Sequence, residues 1–299
     1  MNPTKLLQFF ESRKARGEPL VLVTVYETEG STYSKAGAHM LVDENGVFRG
    51  MLSGGCLEGD LAIRAQQVLE SGSLQTVTYD LGADDDELWG MGVGCDGLMR
   101  VLLQPLLPRD DYAPFAQIAD VLRGHKAAEI TIPVADESIG ALVIKVEPPP
   151  KILVLGAGPD AEPLVRIAAE LGWRCTVFDH RQAYIDNGDF SGAEATCCAP
   201  ANELADRLNL SEFNMAIVMS HHLASDRRYL TQLAATDIAY VGLLGPGKRR
   251  ERLLTEIGAA AAKLENRVHG PAGLDLGGRG PAPIALSIIA QMQQALTSV

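Results

Sequence analysis

Two cysteines of this chain stand among glycines. "LSGGCLEGD", residues 52–60, places Cys56 directly after Gly54 and Gly55 and just before a stretch of helical periodicity. "GCDG", residues 94–97, sets Cys95 in a second glycine-rich segment. Glycine takes positive φ without strain and lets a ligand approach the backbone. The free N–H groups at a helix start carry partial positive charge, which stabilises an anion and favours a thiolate. The pattern is that of a reactive thiol facing an anionic ligand. A thiol also packs as a small hydrophobe, so both uses of Cys56 stand open at this level. Glu58 has matching alternatives: it holds the loop or relays a proton, or it is an ordinary first-turn acid. Around Cys95, Asp84, Asp85, Asp86 and Asp96 oppose ionisation, which makes Cys56 the better thiolate. Cys175 lies in a strand pattern and reads as core; the adjacent Cys197 and Cys198 take no assignment.

A second constellation lies in "KILVLGAGPDAEPLVRIAAELGWRCTVFDHR". Gly156-x-Gly158-x-x-Ala161 falls between a strand pattern and a helix pattern. Gly156 is expected to make the tight turn, Gly158 to admit a phosphate, and Ala161 to allow close helix–strand packing. Asp179 ends the next strand, placed to bond a ribose hydroxyl. Two neighbours disturb a standard pyrophosphate site: Pro159 lacks an N–H donor, and Asp160 adds negative charge. Arg181 is positioned to offset that charge. The turn accordingly suits NAD(P), FAD or another pyrophosphate ligand, or serves as scaffold. Downstream, "MSHHLASDRRYL" carries His221, His222 and Asp226, and "GLLGPGKRR" carries Gly245 and Gly247. Both follow strand patterns, at the carboxyl ends where ligands bind in open α/β sheets. His221 is the candidate ligand residue; Asp226 also reads as a helix cap. "HGPAGLDLGGRGPAPIALSIIAQM" is expected to close over the first domain or the ligand cleft, with Asp275 as a ligand contact or a turn residue.

The elements that must position these residues divide at "EPPPK", residues 147–151. Three successive prolines belong to neither a helix nor a central strand. Before them, a helix from "PTKLLQFF", a strand "PLVLVTVYE", a hairpin about Asn45-Gly46, a helix near 57–71 and further strands predict an α+β domain over residues 1–147. After them, strands "KILVLG", "RCTVFD", "MAIVMS" and "IAYVGLLG", with a weaker one near "AEATC", alternate with helices. This predicts a Rossmann-like, doubly wound parallel sheet over residues 148–299. "AAAAKLENRV" reads as the end of a helix.

Composition excludes several classes. The 299 residues are 46% hydrophobic, enough for a core in each of two domains, and carry a net charge of −12. Nucleic-acid binding needs clustered Lys and Arg, which this balance argues against. No apolar run reaches the roughly 18 residues that span a membrane. The N-terminus lacks a signal-peptide pattern, so a cytoplasmic protein is expected. Five cysteines without a C-x-x-C pair suggest neither a disulfide framework nor a structural zinc site.

With these motifs assembled, the sequence resembles the XdhC/CoxI family of maturation factors for molybdenum hydroxylases. "EGSTYSKAGAHMLV", "SGGCLEGDL" and "GCDG" carry the likeness in the first half. "VLGAGPDAEPLVRIAAELGWRCTVFDHR", "MSHH", "YVGLLGPGKRRERLL" and "GLDLGG" carry it in the second, in the family's order. Ser34 stands where the family often has Arg, and Asp96 where it has Gly or Asn. The resemblance implies a chaperone that binds molybdenum cofactor, as molybdopterin or its cytosine dinucleotide. It would protect the cofactor, support its sulfuration with a cysteine desulfurase, and insert it into an apo molybdenum hydroxylase. It implies a homodimer, and a maturation factor rather than a turnover enzyme. Cys56 or Cys95 would then contact molybdenum, orient it or carry sulfur; thiolate is a soft ligand suited to such a metal. The competing expectation is an NAD(P)-dependent oxidoreductase resting on Gly156, Gly158 and Asp179.

Overall fold

A computed structural model describes residues 2–81, 97–132 and 140–297. Cys95 and the four carboxylates around it lie outside these. The chain divides into two compact units, Met1–Pro148 and Pro149–Val299.

The first unit is built on an antiparallel sheet of five strands in the order β3-β2-β1-β5-β4. These are β1 (Leu20–Glu29), β2 (His39–Asp43), β3 (Phe48–Arg49), β4 (Gln75–Asp80) and β5 (Leu98–Leu106). Side chains alternate across a strand, and here both faces are covered. Leu20 and Leu22 enter a core with helix α1 (Pro3–Lys14), helix α3 (Phe115–Arg123) and a hairpin of β6 (Ala128–Ile132) and β7 (Leu142–Val146). Val21, Val23 and Val25 enter a separate core against helix α2 (Glu58–Ser71). Burial on both faces explains why "LVLVTV" reads as an unbroken apolar run instead of an alternating one.

The second unit holds a six-stranded sheet ordered β10-β9-β8-β11-β12-β13. Its strands are β8 (Lys151–Leu155), β9 (Arg174–Asp179), β10 (Ala195–Cys198), β11 (Met215–Val218), β12 (Tyr240–Leu243) and β13 (Val268–His269). Every pair is parallel. In chain order this is 3-2-1-4-5-6, the doubly wound arrangement, with its switch point between β8 and β11. Helices α4 (Ala161–Glu170) and α9 (Pro281–Thr297) cover one face. Helices α7 (Leu223–Leu233) and α8 (Gly247–Ile257) cover the other. The short helices α5 (Gln182–Asn187) and α6 (Leu204–Arg207) fill crossovers.

Two local expectations change. The helix before "AAAAKLENRV" ends at Ile257, because Gly258 takes φ +59°, and a 3-10 stretch follows over Gly258–Leu264. Strand β13, two residues long, carries no periodicity that a sequence reading detects.

Candidate functional site

The cysteine loop of the first unit is held by one carboxylate. Glu58 stands in the first turn of α2, buried, and folds back over the residues before it. Its Oε1 accepts the N–H groups of Leu52 at 2.7 Å and Ser53 at 2.8 Å. Its Oε2 accepts the Ser53 hydroxyl at 2.5 Å and the Gly55 N–H at 2.9 Å. Ser53 Oγ in turn accepts the Leu57 N–H at 2.7 Å. Burial pushes the Glu58 pKa up, but the donors of Ser53 and Leu52 outweigh it and hold the carboxyl below its ordinary value. The geometry places Glu58 as a holder of the loop, its two oxygens accepting four donors.

Within this loop Gly54 and Gly55 take φ of +79° and +113°, a region that L side chains rarely enter. Gly54 lies under the ring of Tyr33, and Gly55 faces open space. Cys56 is half-buried, its side chain against the α2-side core. Ser34 Oγ donates to Met51 O at 3.4 Å, tying the loop after β1 to the cysteine loop. Gly97, the described end of the second cysteine motif, is pressed against the loop after β1: a Cβ there would lie 2.4 Å from Ser31 O.

The carboxyl edge of the parallel sheet carries the second group of candidates. Gly156 has φ +129°, and a Cβ on it would come within 2.6 Å of the Met219 and Ser220 backbone. Glycine is required there for the β8 turn to pass the β11 loop at the switch point. Gly158 has nothing within 4 Å of a Cβ position. Ala161 is buried, and its N–H bonds Gly158 O at 2.9 Å.

Asp179 is fully buried. Its Oδ2 accepts Ala157 N–H and Arg181 Nη2, each at 2.7 Å. Its Oδ1 accepts Arg181 N–H and Nε, each at 2.9 Å. Burial raises its pKa, and the donors of Arg181 and Ala157 more than reverse the effect. Both oxygens are engaged in joining the glycine turn to the end of β9, so no lone oxygen faces a ribose. Arg181 also reaches Ser220 O at 3.2 Å and stacks 3.9 Å over the Tyr184 ring.

His221 takes φ +57°, uncommon for a residue with a side chain. Its Nε2 meets Asp160 Oδ2 at 2.9 Å, across the switch point. Asp160 starts α4 without capping it, because its carboxylate is turned to His221. Asp226 is not the cap of α7: the His222 side chain takes that place, accepting from Ser225 N–H. Asp226 is buried, accepts the Ser220 hydroxyl, and pairs with Arg249 Nη2 at 2.6 Å. This fixes the loop that presents His221.

Sequence reasoning misses Asp160 as a partner, and Ser53, Tyr33 and Arg249 altogether. The charge of Asp160 calls for a partner nearby; Arg181, expected there, pairs with Asp179 instead, and His221 meets Asp160. Asp275 lies at an exposed tip of residues 270–280. That segment docks on its own unit through Ala272 N–H to Leu243 O, Gly273 N–H to Gln291 Oε1 and Leu274 N–H to Ser287 O. Among the described residues no three His, Cys, Asp or Glu side chains group as a metal site. No helix among them is long and apolar enough to cross a membrane. Cys175 is buried, and burial pushes its thiol up to about 12, which makes it inert core.

Two family descriptions match the chain. The XdhC Rossmann domain covers residues 152–292, and the XdhC and CoxI family covers residues 14–80. A crystal structure described as a xanthine dehydrogenase from Bacillus halodurans is 30% identical with a TM-score of 0.81, covering 100% of this chain and 96% of that one. A Bacillus subtilis protein, named as one probable subunit of xanthine dehydrogenase, is 28% identical over 93% of each chain. A molybdenum cofactor insertion chaperone of Escherichia coli, PaoD, is 22% identical over 96% of this chain and 86% of its own. Two domain matches in series, and a full-length structural likeness at this identity, place the chain in the XdhC and CoxI family.

Proposed function

We propose that this chain is a molybdenum cofactor chaperone. It binds the cofactor as cargo, protects it, supports exchange of an oxo for a sulfido ligand, and inserts it into a xanthine dehydrogenase-type apoenzyme. The observation that carries the reading is the loop of residues 52–58, where one buried carboxylate holds a half-buried thiol between open glycine backbone and the start of α2. A thiol so placed suits a soft metal or a transferable sulfur. The relatives' names support the same cargo and client. Its partners are an apo molybdenum hydroxylase and a cysteine desulfurase, and it acts in the cytoplasm as a homodimer. In the second unit, taken by itself, Gly158 and the rim residues Arg181 and His221 are proposed as a contact for a phosphate group. The nicotinamide reading has weaker support, since Asp179 has both oxygens engaged.

The test is anaerobic binding of molybdopterin and of its cytosine dinucleotide to the wild type and to Cys56→Ala. Binding weakened tenfold or more by the substitution, about 1.4 kcal/mol, is expected. Unchanged binding would return Cys56 to packing or sulfur relay, which trapping of a persulfide by mass spectrometry separates. No binding of either cofactor form would overturn the chaperone reading and favour the nicotinamide one.

A further inference from the structure

Two motifs of the second unit lie outside the proposed cofactor contacts: the loop "GLLGPGKRR" after β12 and the segment "HGPAG" that leaves β13. The fold sets them side by side. Ala272 N–H donates to Leu243 O at 3.0 Å, so the chain leaving β13 crosses back to the end of β12. Gly270 lies on the stem of Arg250: a Cβ there would come within 2.8 Å of Arg250 Cδ. His269, the residue before it, is half-buried. Its ring stacks on Tyr240 with centroids 4.5 Å apart and an interplanar angle of 13°. Gln291 Oε1 fixes that stack, accepting the Tyr240 hydroxyl at 2.7 Å and the Gly273 N–H at 2.8 Å.

Neither Arg250 nor His269 is satisfied within the protein. Arg250 is also half-buried, and its side chain has no hydrogen-bond or ion-pair partner among the described residues. Its Nε is buried with no acceptor, and the first turn of α8 carries no acid. The adjacent Arg249, by contrast, pairs with Asp226. The ring nitrogens of His269 likewise have no partner among the described residues. Burial and the Arg250 charge hold its pKa below the ordinary value, so at neutral pH the ring is an uncharged N–H donor. A desolvated guanidinium without acceptors is costly. The pair thus presents one fixed positive charge, a planar fork of donors and a further N–H. That set matches one carboxylate, planar and monoanionic, better than a phosphate dianion. Strand β13 lies three strands from β8, about 14 Å at the usual strand spacing, which separates this place from the glycine turn.

We infer that Arg250 and His269 form a binding site for a small carboxylic acid, between the loop after β12 and the segment leaving β13. The guanidinium takes the carboxylate oxygens, and the imidazole N–H adds a donor to one of them. The inference is independent of the cofactor reading, since it uses no metal, thiol or phosphate.

The test follows the histidine ring resonances of the full chain by NMR at neutral pH, with His269 assigned from the signals lost in His269→Gln. Sodium acetate is exchanged for sodium chloride at fixed ionic strength. Acetate is expected to shift the His269 signals saturably, with a dissociation constant of about 1–10 mM. Arg250→Gln is expected to weaken acetate about tenfold. Sodium sulfate, a tetrahedral dianion, is expected to bind the wild type about threefold more weakly than acetate. The absence of a saturable shift in the wild type would overturn the inference, as would undiminished acetate binding in Arg250→Gln. Sulfate bound as tightly as acetate, or more tightly, would overturn the carboxylate assignment. The two wild-type titrations decide the matter by themselves should Arg250→Gln fail to fold.

Discussion

Four donors from residues 52–55 end on the two oxygens of Glu58, and this makes the carboxylate a fastening of the cysteine loop. Hydrogen bonds to an ionised group each contribute about 1.5–3 kcal/mol, and a donor left buried without an acceptor is costly. Glu58→Gln is therefore expected to destabilise the protein by about 2–3 kcal/mol in chemical denaturation. The sign with pH follows from linkage. The folded pKa lies below the free value, so the contribution is present above the free pKa and is lost as pH falls through the folded one. Glu58→Gln should accordingly lose less stability than the wild type on acidification across that window. An identical acid profile in the two proteins would show that the fastening does not depend on charge. Asp226 and Arg249 follow the same logic in the second unit: a buried carboxylate acquires a cation and a hydroxyl, and the loop bearing His221 is fixed. These roles have little signal in the sequence. Glu58 and its donors are close in the chain, yet a first-turn Glu is ordinary in any helix. Asp160 and His221 are separated by many residues and joined only by the switch point.

Among the elements, the glycine turn separates two requirements that a motif merges. Gly156 is needed for the fold, because a Cβ would strike the Met219 and Ser220 backbone and because φ is +129°. Gly158 has room. Gly156→Ala is expected to cost about 2–4 kcal/mol, through positive φ and a clash with backbone that has no easy retreat. Gly158→Ala is expected to cost under about 1 kcal/mol and to act on ligand binding instead. Urea denaturation of both variants checks this; equal losses would refute the division. The strand and helix patterns are legible because periodicity is local. Strand β1 reads as an apolar run since its two faces enter two cores. The break at Gly258 and the two residues of β13 are not legible, since a positive-φ glycine and a short parallel pairing leave no period.

Across the whole molecule, each of the two units has its own sheet with both faces covered by its own helices. Residues 149–299 expressed alone are therefore expected to fold, with a single cooperative thermal transition and a structured near-ultraviolet spectrum. A molten, non-cooperative fragment would contradict this. Chain order alone is enough to read the succession of elements, the Rossmann-like half and the family likeness. Each of these rests on the spacing of residues within one element or one motif. Folding was needed to reveal that Asp179 is buried under Arg181 and that Glu58 closes the cysteine loop. The difference arises because a motif specifies residue types along the chain. Which lone pairs remain free for a ligand depends on donors and cations that folding brings in from elsewhere.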